Sequence, residues 1–310
     1  MKYIFDTLEF HIEEECVVSL GKFDGLHTGH KLLIDELEKG SREGLKSAVV
    51  TFDILPISLQ QPAVKVLNTR EEKRIIFEKI GVDYFIELPF VEELKNKSPY
   101  EFLEWLTERI RVKRIVCGTD FRFGHNRLGN CEVLEEYQKD FHYELRVFEK
   151  LQYRHEDISS TRIRNLVAVG QLSEANDLLG YHYFIKSKVV HGKALGRTIG
   201  IPTANQEPPH EKLLPPFGVY VSEILIDDIV YYGISNIGKK PTVGDSHPVG
   251  VETFIFQFDQ DIYGKEITVS LLEFIRKEQK FQSLDDLIAQ MNRDIATCKD
   301  YLKEKGLQSI

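Results

Sequence analysis

Apolar residues follow two different rhythms along this chain. Up to about residue 180, short runs (CVVSL, SAVVTF, DYFIELPF, VKRIVCG and YELRVF) alternate with segments of helical period. Runs rich in Val, Ile and Phe with little alternation are expected of strands covered on both faces. The helical segments carry start signals. Thr69 with Glu72 forms a capping box before a helix over 70–80, and Ser98, Pro99 and Glu101 mark one over 99–110. Alternation of this kind predicts an α/β domain, a parallel sheet with helices on both faces, whose ligands bind at the carboxyl ends of the strands.

After residue 183 the rhythm changes. FIKSKVVHG, GVYVSEILI, IVYYGISNIG, ETFIFQF and ITVSLLEFI alternate partially, with turn residues and no helices between them. Asp227-Asp228 reads as a hairpin turn, and an antiparallel sheet or small barrel follows. Ser283 and Asp286 open a final helix over 283–304. Gly180 ends a helix begun near Ser160. The predicted domains are therefore 1–182 and 183–310.

Composition narrows the function classes. A chain of 310 residues suggests two domains, and 42% hydrophobic with 29% charged residues is a globular balance. No run approaches the ~18 apolar residues of a membrane span. The acidic start MKYIFDTLEFHIEEE lacks a signal peptide's apolar stretch, so a cytoplasmic protein without membrane partners is expected. Cys16, Cys117, Cys131 and Cys298 form no CxxC pair and read as reduced thiols. A net charge of -9 disfavours broad nucleic-acid contact. Small phosphates remain possible where amides, Lys and Arg converge locally. The oligomeric state is left open.

Two segments have that character. CVVSL runs into Gly21-Lys22-Phe23-Asp24-Gly25-Leu26-His27-Thr28-Gly29-His30 and then a helix. Glycines at a strand-to-helix turn let backbone approach a phosphate at the positive end of the helix dipole. His27 and His30 are spaced to point at one spot, where they could stabilise charge growing on an α-phosphate. In the second half, Gly192, Lys193, Gly196, Arg197 and Gly200 form a basic glycine-rich loop before Pro202 that lacks the GK[ST] ending of a P-loop. Taken alone, each segment could equally be an ordinary turn.

The ordered strings go further. GKFDGLHTGH closely resembles the HxGH nucleotidyltransferase signature in the form used by prokaryotic FAD synthetases. GTDFRFG (118–124) and SSTRIR (159–164) are similar to further segments of that family. GRTIGIPTAN (196–205), with GVY (218–220), NIGKKPT (236–242) and VET (251–253), resembles the riboflavin kinase signature in order. The chain is thus identified as a member of the prokaryotic bifunctional riboflavin kinase/FAD synthetase family.

That resemblance implies a Rossmann-like nucleotidyltransferase domain followed by an antiparallel β-barrel kinase domain. It implies ATP as co-substrate at both sites, flavins as substrates and products, and Mg²⁺. His27 and His30 would be catalytic in adenylyl transfer. Gly21, Phe23, Asp24, Gly25, Gly29, Asp120, Phe121, Phe123, Arg127, Ser160, Thr161, Arg162 and Arg164 would bind ATP or flavin there. In the kinase half Glu252 would be the general base and Thr203 and Asn205 the Mg²⁺ ligands. Gly192, Lys193, Gly196, Arg197, Gly200, Pro202, Asn236 and Arg276 would bind ATP or flavin.

The chain departs from the family's pattern at three places. TFDILP (51–56) lacks the usual histidine, Asn130 replaces an aspartate, and Phe254 replaces a histidine. Two other readings stay open at this stage: an enzyme with one inactive domain, and a flavin-nucleotide-binding regulator.

Overall fold

A computed structural model describes residues 1–53, 65–192, 196, 200–239 and 249–307. Contacts divide the chain into two compact units, Met1–Ser160 and Thr161–Ile310.

In the first unit six parallel strands form a sheet in the order β1-β4-β3-β2-β5-β6. They are β1 (Lys2–Phe5), β2 (Ile12–Leu20), β3 (Lys46–Phe52), β4 (Tyr84–Leu88), β5 (Ile110–Gly118) and β6 (Glu144–Phe148). Alternate residues of the central strands serve opposite faces. Val17, Val49, Phe85 and Val116 pack with Leu33 and Leu37 of helix α1 (Lys31–Arg42) and Phe77 of α2 (Arg70–Ile80). Val18, Val50, Ile86 and Ile115 pack with Phe102, Trp105 and Leu106 of α3 (Pro99–Arg109) and Leu134 of α4 (Cys131–Glu136). Burial on both faces is why these strands read as continuous apolar runs. Both expected capping boxes form, at Thr69 and at Ser98. A two-stranded ribbon, β7 (Gln152–Tyr153) and β8 (Glu156–Asp157), follows the sheet.

The second unit contains a closed antiparallel barrel in the order β10-β13-β12-β11-β14-β9. Its strands are β9 (Phe184–Val190), β10 (Ala204–Gln206), β11 (Gly218–Ile226), β12 (Ile229–Lys239), β13 (Val249–Ile255) and β14 (Glu266–Lys277). Asp227 and Asp228 adopt φ of 48° and 64°, as a two-residue hairpin of this hand requires. Helix α7 (Leu284–Glu304) lays Cys298 and Leu302 on Val219, Tyr232, Ile234 and Leu272 of the barrel.

The helix expected from Ser160 to Gly180 is two: α5 (Ser160–Val169) and α6 (Leu172–Leu179), broken at Gly170, whose φ is 82°. Helix α6 belongs to the barrel unit. Asn176 donates to the Leu271 carbonyl at 3.0 Å and accepts from the Tyr183 amide at 2.7 Å. The contact division thus falls after Ser160, earlier than a boundary at 182/183.

Candidate functional site

Strand order places the first constellation. The chain leaves β2 towards β3 on one side, while β5 is followed by β6 on the other. Between β2 and β5, connections therefore diverge at their carboxyl ends, the crevice where open α/β sheets bind ligands. The 21–30 turn follows β2 and the 119–130 loop follows β5 at that edge.

The 21–30 turn is tightly wound. Phe23, Gly25 and Leu26 have φ of 47°, 88° and 30°. The Asp24 carboxylate, 4% exposed, accepts the amides of Leu67 at 2.8 Å and Asn68 at 3.2 Å. The Ser160 hydroxyl donates to the Asp24 carbonyl at 2.6 Å. Phe23 is buried against Phe77, and a side chain at Gly21 would meet the Phe23 ring at 3.0 Å.

His27 and His30 come together as their spacing predicts. Their rings stack with centroids 3.9 Å apart and an interplanar angle of 25°. A Cβ at Gly29 would lie 2.8 Å from His27 Nδ1, so only glycine lets that ring fold over. Among the described residues, neither His27 Nδ1 nor His30 Nδ1 has a hydrogen-bond partner, although both atoms are buried. Burial pushes His27 down to about 4 and holds His30 well below the usual imidazole range, with the neighbouring His27 adding to the effect. Two neutral imidazoles with unsatisfied nitrogens therefore stand at the start of α1, whose N-cap His30 makes no side-chain cap bond.

The 118–130 segment folds as a hairpin closed by mutual Phe123–Gly129 backbone hydrogen bonds of 3.1 and 2.9 Å. Phe123 sits in the core, stacked on half-buried Phe121 at 5.5 Å. Asp120 pairs with Lys150 at 3.0 Å, and Arg127 is exposed. Asn130 is the N-cap of α4, its side-chain oxygen accepting from the Val133 amide at 3.0 Å. Asn and Asp serve this position equally well, so the departure keeps the element intact.

Nearby, a cavity is lined by Asp24, Asp53, Val66, Asn68, Arg70, Lys73 and Glu87. There Arg70 bridges Asp53 at 2.7 Å and Glu87 at 2.8 Å, and Lys73 reaches Glu87 at 2.8 Å. No sequence motif flagged this network, because its members come from separate elements. Ile54, Leu55 and Pro56 lie outside the described residues.

In the second unit Thr161 is exposed, Arg162 pairs with Glu174 at 2.8 Å, and Arg164 is half-buried. In the barrel, register assembles the remaining constellation. Asn205 of β10 faces Glu252 of β13, and Glu252 faces Asn236 of β12. One row across three strands thus carries an amide, a carboxylate and an amide. Glu252 is exposed between the buried Val251 and Thr253, while Asn205 is 7% exposed.

Gly192 and Gly196 approach this row closely. A Cβ at Gly192 would lie 2.5 Å from Asn205 Nδ2, and one at Gly196 3.7 Å from Thr203 Oγ1. The Ile201 amide closes a turn onto the Gly196 carbonyl at 2.8 Å. Gly200 has a φ of 74°, and Pro202 is exposed. Lys193 and Arg197, and Lys240, Pro241 and Thr242 of the NIGKKPT string, lie outside the described residues.

Arg276 continues the register through Val219, but its guanidinium is turned to α7. Its Nε and Nη2 donate to the buried Asp294 at 2.9 and 2.6 Å, and its Nη1 to the Lys277 carbonyl at 3.0 Å. The expected flavin contact is thus committed to a helix, because a bidentate partner lies within reach. Phe254, in place of a histidine, packs edge-on against Phe256.

Comparison with known proteins agrees with this division. A family model described as FAD synthetase matches residues 9–162, and one described as riboflavin kinase matches residues 179–302. A bifunctional riboflavin kinase/FMN adenylyltransferase of Listeria monocytogenes is 35% identical, covering 90% of each chain. Proteins of the same name from Escherichia coli and Bacillus subtilis are 35% and 33% identical, covering 93% and 95% of this chain. A crystal structure of a protein named as a macrolide-efflux protein from Streptococcus pneumoniae superposes with a TM-score of 0.84 at 32% identity, covering 94% of this chain and 96% of that one. Among the described residues, no helix is long and apolar enough to cross a membrane.

Proposed function

The chain belongs to the family of bifunctional riboflavin kinases/FMN adenylyltransferases, and we propose that each reaction has its own constellation in its own compact unit. The enzyme phosphorylates riboflavin to FMN with ATP, and transfers AMP from ATP to FMN to give FAD and pyrophosphate. The observation that carries the division of labour is the stacked His27–His30 pair in one unit and the Asn205–Glu252–Asn236 row in the other.

In the first unit an FMN phosphate oxygen attacks the α-phosphorus of ATP, and the bond to pyrophosphate breaks. The nucleophile is already anionic, so no general base is needed. His27 and His30, neutral when free, donate hydrogen bonds to the charge that grows on the α-phosphate. Phe121 and Arg127 present an aromatic face and a cation from the adjoining loop.

In the barrel Glu252 takes the proton of the ribityl 5′-hydroxyl as its oxygen attacks the γ-phosphorus and ADP leaves. The exposure of Glu252 keeps its carboxylate reachable, and flanking Asn205 and Asn236 offer hydrogen bonds to a phosphate or hydroxyl. Mg²⁺ suits this corner by its donors: Thr203 and Asn205, which Gly196 and Gly192 approach closely, both carry hard oxygen atoms. Held there, the ion would neutralise phosphate charge. We assign Asn130 and Arg276 to structure, as a helix cap and a strand-to-helix latch. Dependence on ATP fits a cytoplasmic enzyme.

Chromatography of products from riboflavin and Mg·ATP tests the assignment. Replacing both His27 and His30 by Ala is expected to abolish FAD formation, by a factor of about 10² or more, while leaving FMN formation unchanged. Equal loss of both products would contradict the division.

A further inference from the structure

Asp24 occupies the most constrained point of the 21–30 turn. On either side the backbone enters the left-handed region, at Phe23 (φ 47°), Gly25 (φ 88°) and Leu26 (φ 30°). Glycine adopts this region freely, but for Phe23 and Leu26 it is unfavourable and persists only where the surroundings over-determine it. Both side chains are buried, at 1% and 7% exposure, and that fixes part of the turn.

The rest is fixed through Asp24. Its carboxylate receives two backbone amides, from Leu67 and Asn68, directly before the capped start of α2 at Thr69. Its carbonyl receives the Ser160 hydroxyl. One residue thus ties the turn to two other elements, and its charge is answered by amides inside the protein. His27 follows in the same turn, folded over Gly29 onto His30. Where those rings stand depends on where Asp24 is held.

We propose that Asp24, with Ser160 as its second anchor, is a positioning residue for adenylyl transfer: it locks the strained turn so that His27 and His30 stay stacked, and it touches neither ATP nor metal. An aspartate in a phosphate-binding glycine turn invites a reading as a metal ligand. Its burial and its two amide partners place it in the scaffold. The inference rests on the reading that His27 and His30 serve adenylyl transfer.

The test uses the full chain and follows FAD formation from FMN and FMN formation from riboflavin on one preparation of each variant. Asp24→Ala is expected to lower kcat for FAD by about 10²-fold, as ångström-scale misplacement does. KM for ATP and the Mg²⁺ requirement should stay within about threefold, the order of a minor binding change, and FMN formation should be unchanged. Asp24→Asn, which removes the charge but keeps an acceptor for the amides, should retain activity within about tenfold of the parent, the span of a lost charge-assisted bond.

NMR titration of His27 separates position from charge. Asp24, Asp120, Lys150 and His30 face that ring. The negative charge of Asp24 favours protonation, so losing charge alone would push His27 below about 4. Release of the turn hydrates the ring and moves its titration up, towards the ordinary ~6.5. Asp24→Ala should go up. Full FAD activity in Asp24→Ala overturns the proposal. So does an Asp24→Asn variant that loses activity with a raised Mg²⁺ requirement, which would mark a ligand. If Asp24→Ala does not fold, Asp24→Asn decides: activity within about tenfold of the parent at an unchanged Mg²⁺ requirement upholds the proposal, and a larger loss with a raised Mg²⁺ requirement overturns it. If His27→Ala and His30→Ala leave FAD formation intact, the underlying reading fails, whatever Asp24 does.

Discussion

His27 and His30 illustrate how burial sets chemistry at single positions. Removed from water and, among the described residues, without partners for their Nδ1 atoms, both rings resist protonation. In the unfolded chain the same groups titrate near ~6.5. Between that value and the folded value of about 4 for His27, the unfolded state binds more protons. Stability from these residues is therefore fully present above ~6.5 and is lost as pH falls towards 4. Unfolding of the Met1–Ser160 unit, followed between pH 7 and 4, should show that loss. His27→Gln, which cannot titrate, should flatten the acid slope, and an unchanged slope would assign the acid sensitivity elsewhere. Asn130 makes the complementary point. As an amide at an N-cap it does what a carboxylate would do there, and the sequence departure proves structurally mild.

Among elements, the contact between β14 and α7 carries the most specific chemistry. Asp294 is 2% exposed, binds Arg276 with both oxygens, and also accepts from Gln290 at 2.8 Å. Removing one partner of such a pair strands a buried charge, which costs roughly 3–5 kcal/mol. Arg276 is partly exposed, so the lower end applies. Asp294→Ala should thus lower the denaturation midpoint of the barrel unit clearly, with little effect on unfolding of the other unit. A loss under about 0.5 kcal/mol, the range of surface changes, would mean that apolar contacts of Cys298 and Leu302 hold the helix alone. Elements also explain where periodicity failed. The helix expected over 160–180 is broken because Gly170 turns left-handed, letting α6 lie against the barrel through Asn176. The three-residue strand β10 is too short to show a period, although it closes the barrel.

For the molecule as a whole, two reactions in series make one product the other's substrate. Glu252→Gln should slow FMN formation by about 10²–10⁴-fold, the usual contribution of a general base. With riboflavin as the feed, FAD should vanish as well, for want of FMN. FMN added directly should restore FAD at the parental rate. FAD formation that stayed low with added FMN would mean that the barrel site is needed for adenylyl transfer itself.

Hydrophobic rhythm settled the class of each half, since strands buried on two faces and strands of a barrel leave different patterns in any sequence. Capping residues placed α2, α3 and α7, because a cap is a local hydrogen bond between neighbours in the chain. Motif strings brought His27, His30, Asn205 and Glu252 forward, yet said nothing of how they meet. The Asn205–Glu252–Asn236 row exists only through strand register. The Asp24 tether joins residues 24, 67–68 and 160, and Arg276 turns to Asp294 because α7 lies there. Contacts made across long separations in the chain leave no local period, so tertiary packing alone decides them.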